Sequence, residues 1–436
     1  MYDELIEKIK PYIKNYPAFL VGGYIRDNLS GKKSLDRDIV INCPDLKTVA
    51  KNIADDLGGA YVELDNENQI YRVVFNQDYI DFAYMDNIED DIDRRDFTIN
   101  SIAYDIQKNE IYDKNNGIED YKNKIIKTHD TKNLSDDPLR MLRAYRFQAI
   151  LGFSTDDNIK DFIQKNGKLI NQVSKERIQQ ELMKMFEGKY LTKALLDMDK
   201  SGLLEVIFPV FEEIKKIPPN SHHHLDLFHH LVETADKIRI NKPELKLAAF
   251  LHDLAKPDCW TIEKDTGRHR FIGHDELGGK KVIPILKELK FSNKQIEYIS
   301  KMIQNHIYPS ALMHSKDTTE KAIIRFVKKI GEDTPDLIEL ARADRLSARG
   351  EAVSDKMVEE NLENLDILEK KYEEIIIKLK ELPKLIDGFE IMEILNIPPS
   401  PLLKKIIDEI KDMQAQNIIN TKEDAINYIK SLKGKI

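Results

Sequence analysis

The chain has only two cysteines among 436 residues, Cys43 and Cys259. They lie far apart without metal-ligand spacing, which excludes a disulfide framework and a cysteine-zinc site and fits a reducing compartment. No apolar run approaches the roughly 20 residues of a membrane helix. The opening MYDELIEKIKPYIKNYP is amphipathic and of mixed charge, unlike a signal peptide or an anchor, so a cytoplasmic, non-membrane protein is expected. There is no basic excess either: 67 Lys and Arg stand against 76 Asp and Glu, a net charge of −9. The chain is therefore no bulk polycation, and any nucleic-acid surface must be local. No internal repeat or low-complexity tract is evident. With 33% charged and 41% hydrophobic residues, it reads as a globular protein of two to four domains.

One stretch organises the rest. Phe19-Leu20-Val21 reads as a short buried strand, followed by Gly22-Gly23 and helix-like residues from Tyr24 to Ser30. The glycine pair allows a tight turn and close approach of backbone to a ligand. The turn opens on a helix N-terminus, where free N–H groups and the helix dipole favour phosphate. The next strand, Asp38–Ile41, carries Asp36 and Asp38 at its entrance. Residues i and i+2 of a strand share a face, so the two carboxylates repel unless a cation lies between them. An all-oxygen ligand set suits Mg²⁺, which takes substrate phosphates as further ligands. Phosphate cradle plus paired carboxylates reads as metal-assisted nucleotidyl transfer. Gly-Gly alone, or Asp-x-Asp alone on a solvated strand end, is common; the order strand, Gly-Gly, helix, strand with Asp-x-Asp is far more specific.

The text GGYIRDNLSGKKSLDRDIV resembles the class II tRNA nucleotidyltransferase and bacterial poly(A) polymerase family, within the polymerase-β-type nucleotidyltransferases. RRDFTINSIAY, from Arg94, is similar to the second family motif, RRDFTINA. The resemblance implies an α+β fold: a small polymerase-β-like head with a mixed sheet and helices, then an all-α neck, HD domain and helical tail. The expected divisions are 1–130, 131–215, 216–350 and 351–436. It implies Asp36 and Asp38 as catalytic Mg²⁺ ligands, one metal activating the tRNA 3′-hydroxyl and the other neutralising the triphosphate. Gly22, Gly23, Arg26 and Asp27 are expected at the nucleotide. Arg94 and Arg95 suit triphosphate, because each guanidinium is a planar fork for phosphate oxygens. Asp96 and Asn100 belong to the same motif, and Asn100 suits a sugar hydroxyl. Asp81, on a later strand, is either a third acid near the metal or a solvated carboxylate.

Beyond Asp136 the strands are expected to stop, with residues 136–214 all helical. Asp136-Asp137-Pro138-Leu139-Arg140 is a helix start, and it resembles the family's EDxxR motif with Asp136 in place of Glu. Asp137 and Arg140, three apart, are expected on one helical face. Such a pair can accept from the exocyclic amine of cytosine or adenine and donate to the ring, rejecting guanine and uracil by leaving buried groups unpaired. The alternative is an ordinary intrahelical ion pair. Arg143 and Arg146 continue the helix and are expected near triphosphate or the tRNA end. SKERIQQE, from Ser174, resembles the motif SxERIxxE, for which a bracing role of Glu176, Arg177 and Glu181 is expected.

A second chemistry lies in the middle of the chain. The run His222-His223-His224 is not itself a site. His230, the pair His252-Asp253 after the apolar run Leu247–Leu251, and Asp344 form the pattern H…HD…D. With HDLAKP following, this resembles the HD phosphohydrolase superfamily and implies a site for a divalent metal of unspecified identity. His274 and His306 are expected to line the pocket or bind phosphate. Either a phosphohydrolase of phosphate ends or a retained fold that shapes a tRNA-binding arm is expected. In the tail, Lys404, Lys405, Lys411, Lys430, Lys433 and Lys435 suit tRNA backbone or merely a solvated face.

The family resemblance implies the tRNA 3′ end, CTP and ATP as partners. One departure bears on the product. Family members that add all of CCA carry a mobile loop of some 10–20 residues before the second motif, and such loops are commonly functional. Here Ile80–Ala83 runs almost directly into Met85–Asp91. That resembles enzymes adding only the two cytidines, with a separate enzyme supplying the adenosine, so CCA and CC addition both stand. The runners-up are a poly(A) polymerase of the same family and an HD phosphohydrolase with a regulatory nucleotide-binding head. Oligomeric state has no signature in the sequence.

Overall fold

The computed structural model describes residues 3–31, 34–76, 78–220, 224–315, 318–415 and 418–433. His222 and His223 of the histidine run, Gln77 of the stretch Asn76-Gln77-Asp78, which reads in the sequence as a hairpin turn, and Lys435 of the tail lie outside the described residues. The chain divides into two compact units. One comprises Met1–Glu212, Lys242–Glu244 and Pro284–Ser292; the other comprises Glu213–Asn241, Leu245–Ile283 and Asn293–Ile436.

The first unit opens with α1 (Glu4–Ile13), whose N–H groups at Leu5 and Ile6 are capped by the Asp3 side chain and whose Ile6, Ile9 and Ile13 are buried. There follow β1 (Ala18–Val21), α2 (Gly23–Leu29), β2 (Asp36–Ile41), α3 (Leu46–Leu57), β3 (Ala60–Asp65), β4 (Ile70–Phe75), β5 (Asp78–Tyr84), α4 (Ile88–Asp93), β6 (Ala103–Asp105) and β7 (Glu110–Tyr112). Among the described residues the strands form one seven-stranded sheet in the order β3-β4-β5-β2-β1-β6-β7. β2 and β5 are parallel, whereas β1 pairs antiparallel with both β2 and β6. All four β1 residues are buried, as befits a strand inside the sheet.

Strand parity then sorts the side chains. Leu20, Ile39 and Ile41 join the α1 and α3 residues in the larger core, while Phe19, Val21 and Val40 form a smaller cluster with Met85 and Ile92. Asp36 and Asp38 share the parity of Val40 and so belong to the thinly covered face. Arg37 has the opposite parity. It is buried and ion-paired to Asp3 at 2.9 Å and Asp78 at 3.1 Å.

The remainder of this unit contains α5 (Gly117–Lys122), β8 (Ile125–Ile126), α6 (Lys132–Asp136), α7 (Leu139–Leu151), β9 (Ser154–Thr155), α8 (Asp157–Asn166), α9 (Lys175–Phe186), α10 (Leu191–Lys200), α11 (Leu203–Ile207) and α12 (Phe211–Ile214), the last reaching the unit boundary. α7 packs on α9 and α10. Two expectations are corrected here. The stretch after Asp136 is not wholly helical, because β9 pairs parallel with β8. Asp137 is not on the helix with Arg140: it adopts φ −137° and ψ 94° between α6 and α7. Pro138 is the reason, since its ring disfavours helical angles at the preceding residue.

The second unit is mainly helical. It contains α13 (Leu227–Lys237), most of α14 (Pro243–Leu251), the hairpin β10 (Trp260–Ile262) and β11 (His269–Phe271), the start of α15 (His274–Glu288), α16 (Asn293–Asn305), α17 (Tyr308–His314), α18 (Glu320–Ile330), α19 (Thr334–Ser347) and α20 (Asp355–Glu381). α21 (Gly388–Leu395), α22 (Pro401–Ala415) and α23 (Lys422–Ser431) end the described chain and share a core of Ile386, Ile391, Ile406, Ile410 and Ile429. No helix among the described residues is long and apolar enough to cross a membrane.

Candidate functional site

In the first unit the turn after β1 is made by Gly22, at φ 76°. That left-handed conformation suits glycine, and space is tight there too. A Cβ at Gly22 would lie 3.2 Å from Asp38 Oδ2 and 3.5 Å from Arg95 Nη1. The glycine turn, the second carboxylate of β2 and an arginine of the later motif thus meet at one point. Asp36 is exposed at the strand entrance and accepts a hydrogen bond from the Tyr79 hydroxyl at 2.8 Å. Asp38 is half-buried, and among the described residues none donates a hydrogen bond to it. Burial first, then the charges of Asp36 and Asp81, push its pKa up to about 7. This is a donor set that favours a cation: two oxygen ligands held near each other, one of them unstabilised by protein donors. Asp81 sits opposite Asp38 on β5, but Arg72 grips both of its oxygens at 2.7 and 2.8 Å. It is a neutralised neighbour of the pair.

The other motif residues form a chain of charge-assisted contacts. Arg26 donates to Asp27 Oδ1 at 2.9 Å and to Asn100 Oδ1 at 2.7 Å, and Asn100 donates to Asp96 Oδ1 at 2.9 Å. Asp96 Oδ2 accepts from Arg143 at 2.5 and 3.0 Å. Burial opposes charge on Asp96, yet Arg143, Asn100 and the Phe97 N–H hold its pKa below the usual carboxylate range. Glu181 of α9 is buried and takes Arg146 at 2.7 Å and Arg143 at 3.4 Å. The guanidinium carbons of Arg26, Arg143 and Arg146 lie 5.2, 5.5 and 4.1 Å from the centre of the Phe147 ring. Arg143 and Arg146, expected near phosphate, are thus engaged by acids from within the fold.

Asp137 and Arg140 flank the start of α7. Asp137 Oδ2 accepts from Arg177 Nη2 at 2.8 Å, and Arg140 Nη1 donates to the Asn133 carbonyl at 3.0 Å. Arg177, expected as a brace, therefore touches the carboxylate that was assigned to base selection. No local signal marks the pair, since 40 residues separate its members.

In the second unit, residues from several helices and their ends converge. The apolar Leu247–Leu251 of α14 is buried and delivers His252 and Asp253 to the interior. α13 brings His230, which is buried, whereas its neighbour His229 is about half exposed and pairs with Asp226. Asp344 comes from α19. Ring nitrogens and carboxylates of His230, His252 and Asp344 lie within 4.8 Å of one another, as do those of His252, Asp253 and His306. Asp253 faces two ways. Its Oδ2 is 3.1 Å from His252 Nε2 and 2.5 Å from Lys256 Nζ, while its Oδ1 is 2.9 Å from His274 Nε2 and 3.5 Å from His306 Nε2.

The tautomers make the cluster fit a metal. Nδ1 of His252, His274 and His306 lies 2.8, 2.6 and 2.7 Å from a backbone carbonyl oxygen. A carbonyl only accepts, so Nδ1 carries a proton and Nε2 is the nitrogen that a metal could take in place of a proton. Nε2 of His274 and of His306 are 3.3 Å apart, a repulsive contact unless a proton or a cation lies there. Burial opposes a proton on His252, but Asp253 and Asp344 lift its pKa to about 10. Imidazoles with carboxylates are a ligand set for a divalent transition metal.

Comparison with known proteins bears on both sites. A family model described as the poly A polymerase head domain matches residues 18–127, one described as a probable RNA and SrmB-binding site of polymerase A matches 152–215, and the HD domain matches 220–349. An A-adding tRNA nucleotidyltransferase of Deinococcus radiodurans is 30% identical, covering 96% of this chain and 97% of that protein. A CC-adding tRNA nucleotidyltransferase of Thermus thermophilus is 26% identical over 97% of this chain and 95% of that protein. Among solved structures, a Bacillus stearothermophilus CCA-adding enzyme in complex with CTP aligns with a TM-score of 0.64 at 20% identity, covering 99% and 98% of the two chains. That likeness is one of fold.

Proposed function

The chain belongs to the class II tRNA nucleotidyltransferase and bacterial poly(A) polymerase family with an HD domain, and from that premise we propose that it adds cytidines to the 3′ end of tRNA from CTP without a nucleic-acid template. The observation that carries nucleotidyl transfer is the meeting of Asp36, Asp38, Gly22 and Arg95 at one point of the head. Asp36 and Asp38 hold Mg²⁺, which when bound supplies charge neutralisation at the triphosphate and lowers the pKa of the attacking hydroxyl. Arg94 and Arg95 grip phosphate oxygens. Asp137 and Arg140 read the base edge, and Arg177 holds Asp137 until a base takes up the carboxylate.

The restriction to cytidine rests on the connection from β5 to α4. Met85, Asp86 and Asn87 alone join Tyr84 to Ile88, which leaves no room for a long mobile loop. A second reading, addition of the terminal adenosine, draws on the 30% identity to an A-adding relative. The chain reads as a head (1–130), neck (131–215), HD domain (216–350) and helical tail (351–436), working in the cytoplasm alongside a second enzyme that completes the CCA end. The HD cluster holds a divalent metal. Most of its ligands are buried, Asp344 being the most exposed at 31%, which favours a metal that holds helices together over one open to substrate.

Three tRNA substrates decide the product: one lacking CCA, one ending in C and one ending in CC, each with CTP, ATP or both, resolved by length. Two additions with CTP, and none with ATP on the CC end, are expected. One addition with ATP on the CC end and none with CTP establishes the second reading, and a full CCA product excludes both.

A further inference from the structure

The contacts of α4 single out a carboxylate that none of the motif assignments uses. Asp91 is 3% exposed and sits three and four residues before Arg94 and Arg95. Its two oxygens are divided between them. Oδ1 accepts from Arg94 Nε at 3.2 Å and Nη2 at 2.7 Å, while Oδ2 accepts from Arg95 Nε at 2.9 Å and Nη2 at 2.8 Å. Each arginine is held by the same edge of its fork, Nε and Nη2, and Nη1 of each takes no part in that grip. For Arg95 that nitrogen lies 3.5 Å from the place a Gly22 Cβ would take, and Asp38 Oδ2 lies 3.2 Å from the same place.

This arrangement differs from the neighbouring ion pairs. Asp96 and Glu181 each spend their charge on arginines packed around Phe147. Asp91, like Glu181, serves two guanidinium groups at once, but its pair stands next to each other in the second motif instead of around Phe147, and the three side chains keep a net positive charge. It also holds Arg95 back from Asp38. The Arg95 charge already acts on the Asp38 carboxylate, and an arginine released from Asp91 and seated there competes with a divalent cation for the same oxygens.

We infer that Asp91 is a positioning residue for nucleotide binding: it aims the free edges of Arg94 and Arg95 at the triphosphate and keeps Arg95 off the metal-ligating carboxylate. The inference rests on the nucleotidyl-transfer reading above. The test is calorimetric binding of CTP to the full chain across a Mg²⁺ titration, with thermal melts alongside. Asp91→Asn keeps the shape and removes the charge. CTP binding is expected to weaken about tenfold, the scale of a lost charge-assisted contact, and the Mg²⁺ concentration at half-maximal binding is expected to rise severalfold.

Asp91→Glu keeps the charge but shifts both forks by one methylene. It is expected to weaken CTP binding while leaving the Mg²⁺ half-point at the wild-type value, and it serves equally if Asp91→Asn does not fold. A folded Asp91→Asn protein that binds CTP with wild-type affinity and wild-type Mg²⁺ dependence overturns the inference, as does an Asp91→Glu protein with unchanged CTP affinity. A wild-type chain that binds CTP poorly at every Mg²⁺ concentration overturns the nucleotidyl-transfer reading, and this inference with it.

Discussion

The head and the HD domain each gather acids around a place for a cation, by opposite means. In the head two carboxylates stand on one open face of β2, and the surrounding charge is supplied by arginines. In the HD domain four imidazoles and two carboxylates come from helices and their ends, and most are sealed from solvent. Oxygen ligands on an open strand suit a labile hard cation that arrives with its substrate. Nitrogen-rich ligands whose tautomers are fixed by backbone carbonyls suit a cation that stays. On the proposed reading, the contrast is between a site that turns over and a site that holds.

The largest effect should break the two regions apart. Asp36→Ala with Asp38→Ala is expected to lower incorporation of labelled CTP into tRNA by about a thousandfold or more, since several kcal/mol of charge stabilisation are lost. His252→Ala with Asp253→Ala, if the protein remains folded, should keep incorporation within about threefold of wild type, the residual scale of an independent change. Loss of incorporation in the second variant would join the sites that the comparison separates. A metal-removal experiment sharpens it. After brief EDTA treatment and desalting, Mg²⁺ alone should restore incorporation, while a transition metal should remain bound at near-stoichiometric level by elemental analysis. That retained metal should vanish in the His252 and Asp253 variant.

The smallest effect concerns stability. Asp38 titrates near 7 in the folded chain against 3.8 for the unperturbed carboxyl. The folded state therefore holds the proton more tightly. The stabilisation is fully present below about pH 4 and is lost as pH rises through about 7. Asp38→Asn cannot lose that proton, so without Mg²⁺ it should melt above wild type at pH 8, by at most about 4 kcal/mol of stability. The two should melt alike below pH 4. Added Mg²⁺ should narrow the gap at pH 8, because the cation takes the place of the proton. A variant that melts below wild type at pH 8 would show that Asp38 is stabilised by contacts rather than strained by its neighbours.

What was legible in the sequence was local. The strand, glycine turn, helix and acid-bearing strand follow from the Gly22-Gly23 pair and strand parity, and the structure places them within a residue or two. His230, His252, Asp253 and Asp344 were marked by spacing and an apolar run, and they converge. What was not legible came from packing across the chain. Arg72 on Asp81 requires the antiparallel register of β4 and β5. Arg177 on Asp137, and Glu181 on Arg143 and Arg146, require α7 and α9 to pack together. The two-residue strands β8 and β9 are too short to show a period. Pro138 is a local signal against a helical Asp137, since its ring disfavours helical angles at the preceding residue.

Phe147 carries a consequence of another kind. Three guanidinium groups gather around one ring, and their mutual repulsion is offset by Asp27, Asp96 and Glu181. Each cation is tolerated because the others' counter-charges are present, and Asp96 and Glu181 are tolerable in their buried places because their arginines are. Such a set resists piecemeal replacement: one change strands a buried charge, and only concerted exchange of a pair restores neutrality.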